Sequence, residues 1–188
     1  MPFTEAERRA LLEVARQSIA HGLRTGTALP VRAADYPESL RVVRATFVTL
    51  ELGGQLRGCI GTLAAHRPLV EDVAEHAFAA AFEDPRFPPV DAKESGRVDL
   101  HLSVLSPPAP MAVTDEADLL RQLRPGVDGL ILGEGARRAT FLPAVWEDLP
   151  DPREFVRHLK AKAGLGANYW SPRMKAERYT TESFGDRR

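Results

Sequence analysis

The sequence predicts an α+β fold, a largely antiparallel sheet with flanking helices, and three observations carry that prediction. Strand-like runs come in adjacent pairs joined by glycine-rich turns, as around Gly53-Gly54, rather than alternating one by one with helices. The run Val98 to Leu105 alternates apolar and polar residues over its full length, as a strand with one face on a core does. Three segments with apolar residues at helical intervals lie outside these runs, near the N-terminus, after Pro68 and after Asp151.

Thr4 followed by Glu7 has the spacing of a capping box. Leu11, Leu12, Val14, Ala15 and Ile19 then recur at helical intervals until Gly22, where the helix is expected to stop. Residues 23–36, rich in Gly, Thr, Ala and Pro, read as a connection across the surface. Leu40 to Leu52, with Val42, Val43, Phe47, Val48 and Thr49, reads as a strand, and Gly53-Gly54 turns it into a second strand through Leu56 to Ile60. Pro68 is placed to begin a helix in which Leu69, Val73, Ala77, Ala81 and Val70, Ala74, Phe78, Phe82 form two adjacent rows. The alanines on that helix allow close approach to a sheet or another helix.

Pro85 ends this helix, and Glu83 to Pro89 makes a stiff loop carrying both signs of charge. In the run 98–105, His101 and Ser103 fall on the face opposite Leu100, Leu102 and Val104. Thr114 to Leu123 reads as a short capped helix. Leu130 to Leu132 and Ala139 to Leu142 read as a hairpin joined by the loop Gly133 to Arg138. Asp151-Pro152-Arg153-Glu154 supplies a cap, a first-turn proline and an acid for a helix reaching about Ala163. Residues 168–184 mix Trp, Tyr, Pro and charge in no pattern that assigns an element.

A chain of 188 residues suffices for a single domain, 1–188, whose core needs neither disulfide nor metal. Its one cysteine excludes an internal disulfide and a multi-cysteine zinc site, and fits a reducing, cytoplasmic setting. A formal net charge of -1 argues against a surface built throughout to hold nucleic acid, and leaves a local basic patch open. Arginine outnumbers lysine, which suits anion recognition but accords more simply with genomic base composition. The N-terminus lacks the basic and apolar regions of a signal peptide, and no run is long and apolar enough for a membrane span, so a soluble cytoplasmic protein is expected. Walker, dinucleotide-binding, HExxH and GxSxG motifs are missing, and no cofactor or metal is expected.

The chemistry concentrates in Leu56-Arg57-Gly58-Cys59-Ile60-Gly61-Thr62-Leu63. In a regular strand Arg57 and Cys59 share one face, and Leu56 and Ile60 the other. A guanidinium beside the sulfur favours thiolate, and Gly58 and Gly61 leave room for a ligand or another backbone. Cys59 is thus the candidate nucleophile with Arg57 its activator, against a plain reading of Cys59 as a small packed residue. Asp84 and Arg86 are candidate ligand contacts that equally suit a mutual ion pair. His66 and His101 are the nearest candidate bases, with no spacing rule to choose between them.

Six blocks carry a family resemblance: LRGCIGTL, AFAAAFEDPRFPPV (77–90), SVLSPP (103–108), GVDGLIL (126–132), ATFLPAVWE (139–147) and KAGL (162–165). In this order they resemble the AMMECR domain family, and most of all the compact bacterial form of AmmeMemoRadiSam systems, encoded with a Memo-like protein and a radical S-adenosylmethionine protein. The resemblance implies two unequal lobes with LRGCIG lining a cleft between them, and a family without an established activity. It carries over Leu56 to Gly61 and the loop from Asp84 to Phe87. Ala144 stands where the family often has glutamine, so that position receives no role.

Two functions of different class follow. One is an enzyme, or a component of an enzyme system, that uses Cys59 and Arg57, with Gly58, Gly61, Thr62, Asp84, Arg86 and His101 around a polar or anionic substrate. The other is a non-catalytic binding or adaptor module for a protein, nucleotide or RNA, with Cys59 structural. A third and plainer reading makes the motif chiefly architectural.

Overall fold

In the computed structural model, which describes residues 2–186, the elements run α1 (Glu5–Thr25), α2 (Glu38–Arg41), β1 (Thr46–Leu52), β2 (Gln55–Gly61), α3 (Leu69–Phe82), α4 (Ala92–Ser95), β3 (Val98–Leu105), β4 (Ala109–Met111), α5 (Glu116–Gln122), β5 (Gly129–Glu134), β6 (Arg137–Phe141), α6 (Pro152–Lys162), β7 (Lys175–Tyr179) and β8 (Thr181–Gly185). Short 3-10 turns cover Ala33–Asp35 and Pro143–Glu147. The strands make two four-stranded sheets, ordered β2-β1-β3-β8 and β4-β7-β5-β6. β1 pairs antiparallel with β2 and β3, and β5 with β6 and β7, so the fold is α+β as expected.

The chain divides into two units, one of Met1–Leu105 with Glu182–Arg188 and one of Ser106–Thr181. In the first, α1 and α3 cover one face of the sheet. Leu11, Val14, Ala15 and Ile19 of α1 and Val70, Val73, Ala74 and Ala77 of α3 bury against Val48, Leu50, Leu100 and Leu102. Truncating a leucine in such a core to alanine costs roughly 2–5 kcal/mol. In the second, Leu119, Phe155, Val156 and Leu159 pack with Leu130, Leu132 and Trp146, whose ring stacks on Phe155 at 3.7 Å. The Trp146 indole N–H donates to the Asp128 carbonyl at 2.7 Å, so its one polar atom is satisfied inside the core.

The Thr4 and Glu7 capping box forms, but the helix continues through Gly22 and ends at Gly26, whose φ of 72° is left-handed. Gly22 is instead a close-approach residue: a Cβ there would lie 2.5 Å from the Phe82 ring and 2.7 Å from Phe78. The expected strand from Leu40 begins only at Thr46, because the chain after Pro37 first makes the short helix α2 and then leaves Val42 and Val43 exposed. Their β-branched side chains are overridden by that local turn. The β5–β6 turn is also tighter than expected, since Gly133, Glu134, Arg137 and Arg138 all pair across the ladder and only Gly135-Ala136 turns. The unassigned tail supplies β7, between β4 and β5, and β8, at the edge of the first sheet.

Candidate functional site

The LRGCIGTL segment is β2, and its geometry begins with a β-bulge. Leu50 pairs with Gly58 and Glu51 with Leu56, so Arg57 is an extra residue on its strand. The bulge breaks the expected alternation. Ile60 lies opposite Val48 and packs against the core, while Leu56 lies opposite Glu51 and is exposed. Arg57 does not turn to the sulfur. Its Nε and Nη2 bond both carboxylate oxygens of Glu94, at 3.2 and 2.9 Å, and its Nη1 is buried without a hydrogen-bond partner, with the Phe87 ring centroid 6.0 Å from the guanidinium carbon. Glu94 is held in turn by the capping box that starts α4 at Asp91, and Arg57 keeps the Glu94 carboxyl below the usual carboxylate range.

Both motif glycines are demanded by packing. A Cβ at Gly58 would stand 2.1 Å from the Ala80 carbonyl oxygen of α3, and one at Gly61 would stand 2.3 Å from the Thr46 oxygen and 2.5 Å from the Phe47 ring. The close approach falls at Ala80, a residue of neither row read from the sequence, where the backbone of α3 meets the glycine of β2. Thr62 continues the ladder, its N–H donating to the Thr46 carbonyl at 3.1 Å and its hydroxyl to the Ala64 carbonyl at 2.9 Å.

Asp84 and Arg86 pair with each other and close on the backbone of Cys59. The buried Asp84 carboxylate accepts from Arg86 Nε and Nη2 at 3.0 and 2.7 Å, from the Arg86 backbone N–H at 3.0 Å, and from the Cys59 N–H at 2.9 Å. Arg86 Nη2 also donates to the Cys59 carbonyl at 3.3 Å. Arg86 holds the Asp84 carboxyl far below the usual carboxylate range, with the Cys59 and Arg86 amides adding to the effect against burial. Arg86 is itself raised, chiefly by Asp84 and in smaller part by Cys59.

The half-buried thiol shares a 3.2 Å hydrogen bond with Thr49 Oγ1. His101 lies on β3 opposite Thr49, so one strand separates it from Cys59 and their backbones are about 10 Å apart by ordinary strand spacing. Its Nε2 is 3.7 Å from Glu51 rather than near the sulfur, and His66 is exposed in the segment after β2. The structure therefore brings Cys59, Asp84 and Arg86 together, pairs Arg57 with Glu94, and leaves His101 one strand away with its buried Nε2 lacking a hydrogen-bond partner among the described residues.

The AMMECR1 family model matches residues 12–184, nearly the whole chain. This chain belongs to the AMMECR1 family. A protein of Methanothermobacter thermautotrophicus is 39% identical over 97% of this chain and 96% of its own length. Protein MK0488 of Methanopyrus kandleri is 35% identical over 89% of this chain and 82% of its own. The crystal structure of the uncharacterized protein PH0010 from Pyrococcus horikoshii superposes with a TM-score of 0.80 at 34% identity, covering 94% of this chain and 89% of that one. Family membership thus fixes the fold, and activity has to be argued from side chains.

One cluster in this AMMECR1 domain was not singled out from sequence. Buried Thr46 donates to Asp72 Oδ2 at 2.6 Å, and His76 Nδ1 lies 3.1 Å from the same oxygen and 3.0 Å from the hydroxyl. The network ties the start of β1 to α3 directly beneath Gly61 and Thr62. Its legible signal was the i, i+4 spacing of Asp72 and His76 on a helix. Among the described residues no group of three or more His, Cys, Asp or Glu is placed to hold a metal ion, and no helix is long and apolar enough to cross a membrane.

Proposed function

We propose that this chain is a non-catalytic binding component that works alongside a Memo-like protein and a radical S-adenosylmethionine protein in the cytoplasm, with Cys59 a structural sulfur. One observation carries the reading: both arginines around the motif are already paired, Arg57 with Glu94 and Arg86 with Asp84. A thiol enzyme needs a base within hydrogen-bond reach of its nucleophile, and the hydrogen-bond partner of Cys59 is the Thr49 hydroxyl. The neutral Asp84 and Arg86 pair grips the amide and carbonyl of Cys59, a means of fixing a strand rather than of activating a side chain. The two companions rest on the resemblance to the bacterial AmmeMemoRadiSam form, and the free cysteine supports a reducing compartment.

Iodoacetamide labelling of the folded and unfolded chain across neutral and alkaline pH tests the first part, and copurification of wild type and Cys59→Ala with both companions tests the second. The expected result is that the folded chain reacts no faster than the unfolded one and that Cys59→Ala retains both companions. Faster labelling of the folded chain at neutral pH overturns the structural role of Cys59. Failure of the wild type to retain either companion removes the partnership and leaves the labelling result to stand alone.

A further inference from the structure

One face of the β4-β7-β5-β6 sheet carries a cavity of about 620 Å³, lined among others by Pro110, Gly133, Arg138, Lys175 and Glu177. A volume of this size suits a small molecule rather than a polymer. The register puts these five residues on one face. Lys175 and Arg138 lie opposite Gly133 on its two sides, and Glu177, two residues along β7 from Lys175, lies opposite Pro110 and Ile131. Met111, Met174 and Ala176 alternate with them and pack into the core on the other face. Gly133 keeps the floor between the two cations at backbone level, since a Cβ there would stand 2.3 Å from the Arg137 carbonyl oxygen and 2.6 Å from the Arg138 Cα.

Glu177 pairs with Arg138 across this floor, through one carboxylate oxygen and Nη2. Among the described residues the other N–H groups of that guanidinium have no hydrogen-bond partner, and the exposed Lys175 makes neither an ion pair nor a hydrogen bond. The Arg138 and Glu177 pair is neutral, so the three side chains together carry one net positive charge, on Lys175. A monoanion cancels that charge. A dianion would leave an excess negative charge facing the Glu177 carboxylate. A carboxylate has the shape to bridge the Lys175 ammonium and the unused edge of the Arg138 fork, with the bare Gly133 backbone beneath it. Pro110 and the neighbouring Ala112 give its organic part an apolar side.

We propose that this cavity binds a small organic monocarboxylate, its carboxylate shared by Lys175 and Arg138 and its organic part against Pro110 and Ala112. This extends the binding reading by naming a ligand class at a different site, so its failure leaves the reading of Cys59 as it stands. Chemical-shift titration of the isotope-labelled full chain at low salt tests it, with benzoate as probe and its neutral amide, benzamide, and the dianion phthalate as comparators. Benzoate should bind with a Kd of about 1 mM or below, the order expected of a few charge-assisted contacts, and should move the backbone amides of Gly133, Gly135 and Lys175. It should bind about tenfold more tightly than either comparator. Lys175→Ala should weaken benzoate binding about tenfold, whereas Cys59→Ala leaves it unchanged. Glu177→Gln removes the repelling carboxylate and should bring phthalate close to the affinity of benzoate. The proposal is overturned if benzoate does not bind or moves amides elsewhere, if benzamide or phthalate binds wild type as tightly, if Lys175→Ala binds benzoate like wild type, or if Glu177→Gln leaves the preference for benzoate over phthalate intact.

Discussion

Gly58→Ala is the most direct test of how the motif is used. The added methyl carbon would stand 2.1 Å from the Ala80 carbonyl oxygen and 3.1 Å from its carbon, both backbone atoms of α3. No rotamer relieves a backbone contact, so β2 and α3 must separate by about 1 Å to restore van der Waals distance. Val70, Val73, Ala74 and Ala77 on that helix are buried, and a gap of 0.5–1 Å forfeits about a quarter to a half of each dispersion contact it opens. Overpacking of a core costs about 1–3 kcal/mol, and a clash between two backbones belongs at the upper end, about 3 kcal/mol. For a chain of this length that corresponds to a fall in Tm of about 6–12 °C. Urea and thermal unfolding followed by circular dichroism measure it, with Cys59→Ala as the comparison. That variant loses one Thr49 hydrogen bond and a small side chain, and should cost only about 1 kcal/mol. If Gly58→Ala lies within about 0.5 kcal/mol of wild type, or Cys59→Ala is the worse of the two, the motif is not a packing device and the argument fails.

Asp84→Asn should cost about 2–4 kcal/mol, because it breaks the pair with Arg86 and weakens the bond from the Cys59 amide. The wild-type carboxyl has its pKa lowered on folding, so the stability it contributes is complete above its unfolded value of about 3.9 and is lost as pH falls through the folded value. The gap in urea midpoints between wild type and Asp84→Asn should therefore be constant above about pH 5, begin to narrow below about pH 4 and still be open near pH 3, and a gap already closed at pH 3 would contradict the assignment. In the second unit, the fully buried Lys160 places its ammonium 2.5 Å from Glu116 and 3.4 Å from the Tyr169 carbonyl. Glu116→Gln strands that charge and should cost about 3 kcal/mol, whereas Lys160→Met removes it and should cost less than about 1 kcal/mol. Equal losses in unfolding experiments would show that the pair stabilises by attraction rather than by relief of a buried charge.

The α+β class, the first helix cap, α3, α6 and the polar face of β3 were legible because each is written in local spacing. The capping box of Thr4 and Glu7 and the alternation around His101 need no knowledge of distant residues. Features that depend on a partner far along the chain were not. Gly22 reads as a stop because glycine stops helices, and its close approach to Phe78 and Phe82 exists only once α3 is in place. β7 and β8 lack a flanking turn signal, since β7 pairs with β4 and β5 and β8 joins the first sheet. At the site, alternation put Arg57 beside Cys59, and one extra residue at the bulge was enough to send the guanidinium to Glu94. The Asp84 and Arg86 pair was one of two readings the charges allowed, and its grip on the Cys59 backbone was written in neither.

Taken together, the polar contacts of the motif describe a strand fastened at three points. Arg57 ties its first half to α4 through Glu94, Asp84 and Arg86 hold its centre by the Cys59 amide and carbonyl, and Thr46 joins its last residues to Asp72 and His76 of α3. Between these tethers the contact with α3 is backbone against backbone at Gly58, where no side chain supplies attraction. Such a contact gains little from apolar burial, so directional bonds must keep the two elements in register. The sulfur's bond to Thr49 satisfies what remains, and the glycines and arginines around the cysteine are committed to close packing and to these tethers.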